Sequence, residues 1–307
     1  MALYLLRKLL QALPTVLLVT VLVFLMLHLV PGDPALIFVG ENQASPELIA
    51  NIREDMGLNR PLHEQYLSYM ANVLRGDLGR SLTTRRDVAG EILLRLPSTL
   101  ELTVAAMLIS VTLGVGLGLV AALNHNTSID TALMTLALVG ISMPVFWSGL
   151  MLIVVFSVNL RWFPPIGQGS LERLILPATA LGLLSAGVIA RLVRSSMLEV
   201  LSQEYVKTAR AKGLREPQVT LVHALRNALI PVVTVLGLQF GQLLSGAVLT
   251  ETIFARLGIG RLYAEGVLNK DFTIVQGTTL FIATAYVLIN ISIDIVYGII
   301  DPRIRHR

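Results

Sequence analysis

The chain has no cysteine in 307 residues, which removes disulfide frameworks, thiolate metal sites and Cys nucleophiles from consideration. It is also poor in charge, with 14% Asp, Glu, Lys and Arg against roughly 25% in soluble domains. Its longest apolar runs hold almost no ionisable groups, so they lack the paired acids, or the Ser with a base, that an intramembrane hydrolase would need. No Gly-rich loop ends in Gly-Lys-Ser/Thr, and His63-Glu64 lacks the second His of a zinc-protease helix. The chain therefore binds no ATP by that route and carries no catalytic constellation. What it has instead is apolar mass: 54% hydrophobic residues and a mean hydropathy of +0.72, the composition of a membrane protein. The net charge of +4 does not point to nucleic acid, because the cations lie in loops beside apolar runs, where orientation in a bilayer explains them.

Six apolar runs predict an all-α, polytopic fold with spans at 9–30, 98–123, 131–158, 174–194, 228–250 and 275–298. The first follows Arg7 and Lys8 and exceeds the about 7–15 residues of a secretory h-region, so it reads as a retained helix. His28 near its end is open between a structural and a relay role. Pro31-Gly32-Asp33-Pro34 then breaks the helix. Residues 31–97 are polar, with seven Lys/Arg against nine Asp/Glu, and predict short helices at 46–56 and 61–74. Gly114, Gly116 and Gly118 fall inside the second span, where small residues serve close helix packing. Ser142 and Pro144 interrupt the third, either as a packing kink or as a pathway position. Gln239, Gln242 and Ser245 put polar groups on the fifth, for an interhelical hydrogen bond or for a passage. Residues 251–274 read as a connection outside the apolar core, and Asp294 as an interfacial acid near Arg303.

Between the fourth and fifth spans, residues 195–227 form a charged interruption. Leu198, Leu201, Tyr205 and Ala209 follow the spacing of one helix face, Lys207, Arg210 and Lys212 lie beside it, and Pro217 is expected to stop the helix. Small residues at Ala209, Ala211 and Gly213 leave its far end without bulk. By composition this is either a docking element or an ordinary loop held by positive charge. Lys and Arg number twelve on the side holding the N-terminus, 124–130, this loop with the Arg191 and Arg194 that close the fourth span, and the tail, against five in the short opposite loops. Positive-inside thus places the loop in the cytoplasm.

The segments EYVKTARAKGL and HALRNALIP resemble the signature loop of ABC-importer permeases of the peptide and nickel branch. Other branches begin this loop Glu-Ala-Ala; here Lys207, Thr208 and Ala209 stand at those positions, and Gly213 matches the Gly that follows. PGDPA, MGLNRPLHEQY, GDLGRSL and RLPSTLEL are similar to the first permease subunit of dipeptide and oligopeptide importers, so the resemblance covers nearly the whole chain. It implies a type I permease fold in a bacterial cytoplasmic (inner) membrane, with both termini cytoplasmic. Its parts would be the N-terminus with the first helix at 1–30, a periplasmic or extracellular insertion at 31–97, a core at 98–298 and a cytoplasmic tail at 299–307. Glu204, Tyr205, Lys207, Thr208, Ala209, Arg210, Ala211, Gly213 and Leu214 would couple to an ATPase. The implied partners are a second homologous permease, two ATPase subunits holding ATP and Mg, an extracytoplasmic substrate-binding protein, a peptide substrate and membrane lipid. No cofactor or metal is expected on this chain. Nickel and glutathione are alternative substrates in the same family. A self-powered carrier or channel is the alternative of another class, but carriers favour inverted repeats and midplane charges, and neither is visible here.

Overall fold

The computed structural model describes residues 2–29, 35–36, 45–55 and 57–300, with side chains placed at 10–25, 35–36, 45–51, 53–54 and 57–293. The side chains of His28 and Asp294, the Pro31–Pro34 break and the tail with Arg303 lie outside the described residues. Among those described, the regular elements are helical. We number them α1 (Ala2–Leu29), α2 (Pro46–Asp55), α3 (Leu62–Leu74), α4 (Val88–Leu123), α5 (Ser128–Ser142), α6 (Val145–Leu152), α7 (Glu172–Leu201) and α8 (Glu204–Ala211). After these come α9 (Glu216–Gln218), α10 (Leu225–Ala228), α11 (Ile230–Ile253), α12 (Ile259–Leu268) and α13 (Phe272–Ile300). Wider, π-type turns extend α6 over Ile153–Asn159 and join α9 to α10 over Val219–Ala224. Val88–Leu123, Glu172–Leu201, Ile230–Ile253 and Phe272–Ile293 are long and apolar enough to cross a bilayer, and Leu10–Leu25 is a shorter apolar stretch. Where one third span was expected, α5 and the α6 segment meet at 109°. Met143 is extended there, and Pro144, which has no N–H to continue the ladder, begins the next helix.

The chain divides into two compact units, residues 1–98 with 257–307 and residues 99–256. The last span thus falls in the same unit as the described residues before Thr99. In the first unit Val88 and Ile92 pack with Ile259, Leu262 and Ile274. Asp271, expected in a polar connection, is 2% exposed. Its carboxylate accepts from the Ser81 hydroxyl and the Thr83 amide, and it caps α13 by accepting from the Ile274 amide at 3.2 Å. The GDLGRSL stretch is therefore a clamp on the start of α13. On α1, Phe24 meets the Tyr66 ring edge-on at 5.4 Å, and Thr20 shares a 2.9 Å hydrogen bond with the Tyr66 hydroxyl. Burial, with Tyr66 beside it, pushes the Tyr69 hydroxyl up to about 12. α4 starts at Val88, earlier than the expected 98, because the Asp87 carboxylate caps it by accepting from Gly90 at 2.6 Å. Pro97 sits inside the helix and does not bound it.

In the second unit α7 is the central element, with Leu181, Ala186, Ile189, Ala190, Val193 and Met197 buried. A Cβ on Gly114 would stand 2.7 Å from that of Ile189, and one on Gly118 would stand 2.4 Å from the Ala190 carbonyl. Those two glycines, four apart, let α4 close on α7, while Gly116 faces open space. The connection 251–256 corrects the sequence expectation: Glu251 and Arg256 are 0% exposed. Thr99 donates to Glu251 at 2.6 Å, and Arg256 pairs with Glu101 at 2.7 Å. Sequence reading places charges outside the core by default, whereas a charge with a partner can be buried.

Candidate functional site

The helix expected to run on from Leu198 is two helices. α7 ends at Leu201, Ser202 and Gln203 turn the chain, and α8 begins at Glu204. The break rotates the buried face. Val206 (0% exposed) and Ala209 (8%) turn inward onto Val219, with Val200 and Leu201 alongside, while Tyr205 is not part of that face. Ala209 is thus a seat for α8 within the subunit more than part of an outer surface, and Val206, which sequence reading passed over, is its anchor. An apolar residue at three-residue spacing to Ala209 was the available signal. Tyr205 lies at the edge, where Asn227 donates to its hydroxyl at 2.7 Å, so α8 is tied to α10. Removing that oxygen in Tyr205→Phe should lower coupled transport by no more than about fivefold, since one exposed hydrogen bond contributes about 0.5–1 kcal/mol. Uptake assays on the assembled transporter check this. A total loss would mean that the hydroxyl meets a partner.

The far end of α8 closes in a Schellman motif. Gly213 donates to the Arg210 carbonyl at 2.9 Å and Leu214 to that of Ala209 at 3.4 Å, with Gly213 at φ +77°. Nothing lies within 4 Å of where a Cβ on Gly213 would stand, so within this chain the residue is required by backbone handedness alone. Pro217, expected to stop the helix, instead opens the following one, because its missing N–H and fixed φ suit a first turn. Around the helix, Lys207 pairs with Glu204 at 2.7 Å and Arg210 with Glu216 at 2.6 Å; all four are exposed, as are Thr208, Ala211 and Leu214. The result is a short, charged, small-residue helix fixed from one side and open on the others.

Beside it, the 124–130 turn is tied to α7. Arg194 donates from Nε to one Asp130 oxygen at 2.6 Å and from Nη2 to the other at 2.7 Å, with His125 Nδ1 3.1 Å from Nη2. Asp130 is buried. This fork joins the 124–130 turn to the last turns of α7, the helix from whose end α8 follows.

The structure separates the polar groups of α11. Gln239 is buried, and Ser185 donates to its amide oxygen at 2.8 Å, which joins α7 to α11. Gln242 and Ser245 are exposed, and so are Ser142 and Pro144 at the α5–α6 break.

Two family descriptions match the chain: "Binding-protein-dependent transport system inner membrane component" over residues 114–306, and the N-terminal membrane component of such systems over residues 1–103. The chain is 46% identical to the di/tripeptide transport system permease protein DppB of Pseudomonas aeruginosa, over 98% of each chain. It is 45% identical to the glutathione transport system permease protein GsiC of Salmonella typhi and 42% to the dipeptide permease DppB of Escherichia coli K12, over 99% of each chain in both cases. A chain of the inward-facing MetNI methionine ABC transporter has the same fold, with TM-score 0.59 and 18% identity, over 69% of this chain and 96% of that one. This all-α, multi-pass chain, with its exposed basic helix at 204–211, belongs to the family of binding-protein-dependent transport system inner membrane components.

Proposed function

We propose that this chain is the permease subunit of an ATP-driven importer of di- and oligopeptides, with α8 as the helix through which separate ATPase subunits act on it. The observation that carries the reading is the build of α8: seated on Val206 and Ala209, capped at Gly213, and exposed at Glu204, Lys207, Thr208, Arg210, Ala211 and Leu214. Relatives that span its whole length and are named as dipeptide and di/tripeptide permeases support the substrate class. The glutathione permease among them makes a modified short peptide the second reading.

In this reading six spans, counting α1 and the α5–α6 pair, place both termini and α8 in the cytoplasm of a bacterium, and residues 31–97 outside the inner membrane. A second homologous permease completes the passage. Two ATPase subunits carry ATP and Mg, and an extracytoplasmic binding protein delivers the peptide. Closure of the ATPases on ATP moves α8 as a rigid lever and switches access from inside to outside. Ser142, Pro144, Gln242 and Ser245 are the exposed candidates for this subunit's wall of the passage.

The test is reconstitution of the full complex in vesicles. Peptide-loaded binding protein should raise ATP hydrolysis several-fold, and a thiol probe on Lys212→Cys should react only from the cytoplasmic side. Peptide movement without the ATPases, or labelling of position 212 from outside, would overturn the proposal.

A further inference from the structure

A groove of about 1110 Å³ runs between α5 and α7, and polar and charged groups gather in it among apolar ones. Elsewhere α5 exposes apolar groups such as Leu136, which is 57% exposed. The groove presents the Asn126 amide, the Thr131 and Thr135 hydroxyls and the Arg191 guanidinium among apolar side chains such as Met134 and Leu138, which make up the larger part of its wall. Of its charged groups, Asp130 and Arg194 neutralise each other through two short hydrogen bonds. Arg191 is exposed, and among the described residues no acceptor or carboxylate bonds it. Its charge is therefore the net charge of the groove. An ionisable side chain within a membrane-crossing helix faces a water-filled cavity or a polar partner in preference to acyl chains, and such residues mark solute routes. The hydroxyls agree: Thr135 donates to the Thr131 carbonyl at 2.8 Å, which leaves its oxygen free to accept from water.

We propose that this groove is the water-filled inner part of the passage in this subunit, and that Arg191 is the group that holds the carboxylate of a transported peptide there. The assignment rests on the importer reading above and adds to it a contact for the one anionic group that every free linear peptide carries. A guanidinium offers a carboxylate two parallel N–H donors, which a lysine could not match. At the inner end of α7 it sits on the route of exit.

Because the sequence holds no cysteine, single-cysteine probes read the groove directly. In inside-out vesicles bearing the assembled transporter, Thr135→Cys should react readily with membrane-impermeant methanethiosulfonates. The anionic sulfonatoethyl reagent should react about tenfold faster than it does in the Thr135→Cys, Arg191→Gln double variant, the scale of one unscreened charge in a partly aqueous site. Leu136→Cys, on the neighbouring apolar surface, should react slowly with the same reagent. A saturating dipeptide supplied on the cytoplasmic side should slow labelling at position 135 with Arg191 present and not with Gln. Three results would overturn the proposal: position 135 as unreactive as position 136, which means lipid or a partner subunit covers the groove; equal anionic rates with and without Arg191; or no protection by peptide. None of these bears on whether ATP drives uptake, so the failure of this assignment and the failure of the importer reading are separable.

Discussion

Gly213→Ala is expected to retain most coupled transport, whereas Gly213→Asn and Gly213→Asp lose it by a factor of ten or more. The order follows from two requirements that single out different substitutes. Gly213 has φ +77°, a conformation that costs an ordinary L-residue about 1–2 kcal/mol and that Asn and Asp tolerate best. If the residue served only to end α8, Asn would be the mildest replacement and Ala the harsher one. Space inside the chain is no obstacle to any of them, since nothing approaches a Cβ at that position within 4 Å. If an ATPase surface closes over the small-residue tip, bulk is what matters, and Ala is mildest in spite of its strain. Peptide-stimulated ATP hydrolysis, with membrane insertion measured alongside, reads the order. Asn above Ala would reduce Gly213 to a helix cap and remove it from the docking surface.

The second large effect is expected at Asp130. Its carboxylate is 4% exposed and takes a bidentate fork from Arg194, whose side chain is 26% exposed. Removing one member of a buried pair costs about 3–5 kcal/mol; with Arg194 partly reached by solvent, about 2–3 kcal/mol is the expectation for Asp130→Ala. On a chain of this size that lowers the unfolding midpoint of the purified complex by about 3–5 °C. Arg194→Ala should lose a comparable amount, because it leaves Asp130 buried with only His125 and the Asn126 amide at 3.1 Å. In the double variant neither charge is stranded, so its loss should fall well short of the two single losses together. Strict additivity would mean that the pair is not coupled and that the 124–130 turn is held by other contacts.

Much of the fold was legible because hydropathy reports directly on burial in lipid: the apolar runs coincide with α1, α4, α7, α11 and α13. What escaped was set by neighbours that a linear reading does not supply. Val206 looked like one residue of a polar loop until Val219 came to lie against it. Glu251, Arg256 and Asp271 were read as surface charges because their partners Thr99, Glu101 and Ser81 are remote in sequence. The α11 amides were open between an interhelical hydrogen bond and a passage; the Ser185 hydroxyl draws Gln239 inward, and Gln242 stays exposed. Pro217 was misassigned for a different reason: a proline marks a helix boundary without saying on which side the helix lies.

The two-residue hinge between α7 and α8 carries a mechanical implication. α8 follows α7 after Ser202 and Gln203, and its side chains lean on Val219, the His223 carbonyl and Asn227 as well as on Val200 and Leu201 at the end of α7. A push on α8 would therefore load two members at once, the foot of α7 and the 219–228 stalk that leads into α11, and the stalk is itself braced on α7 through Ala224 and Ala228.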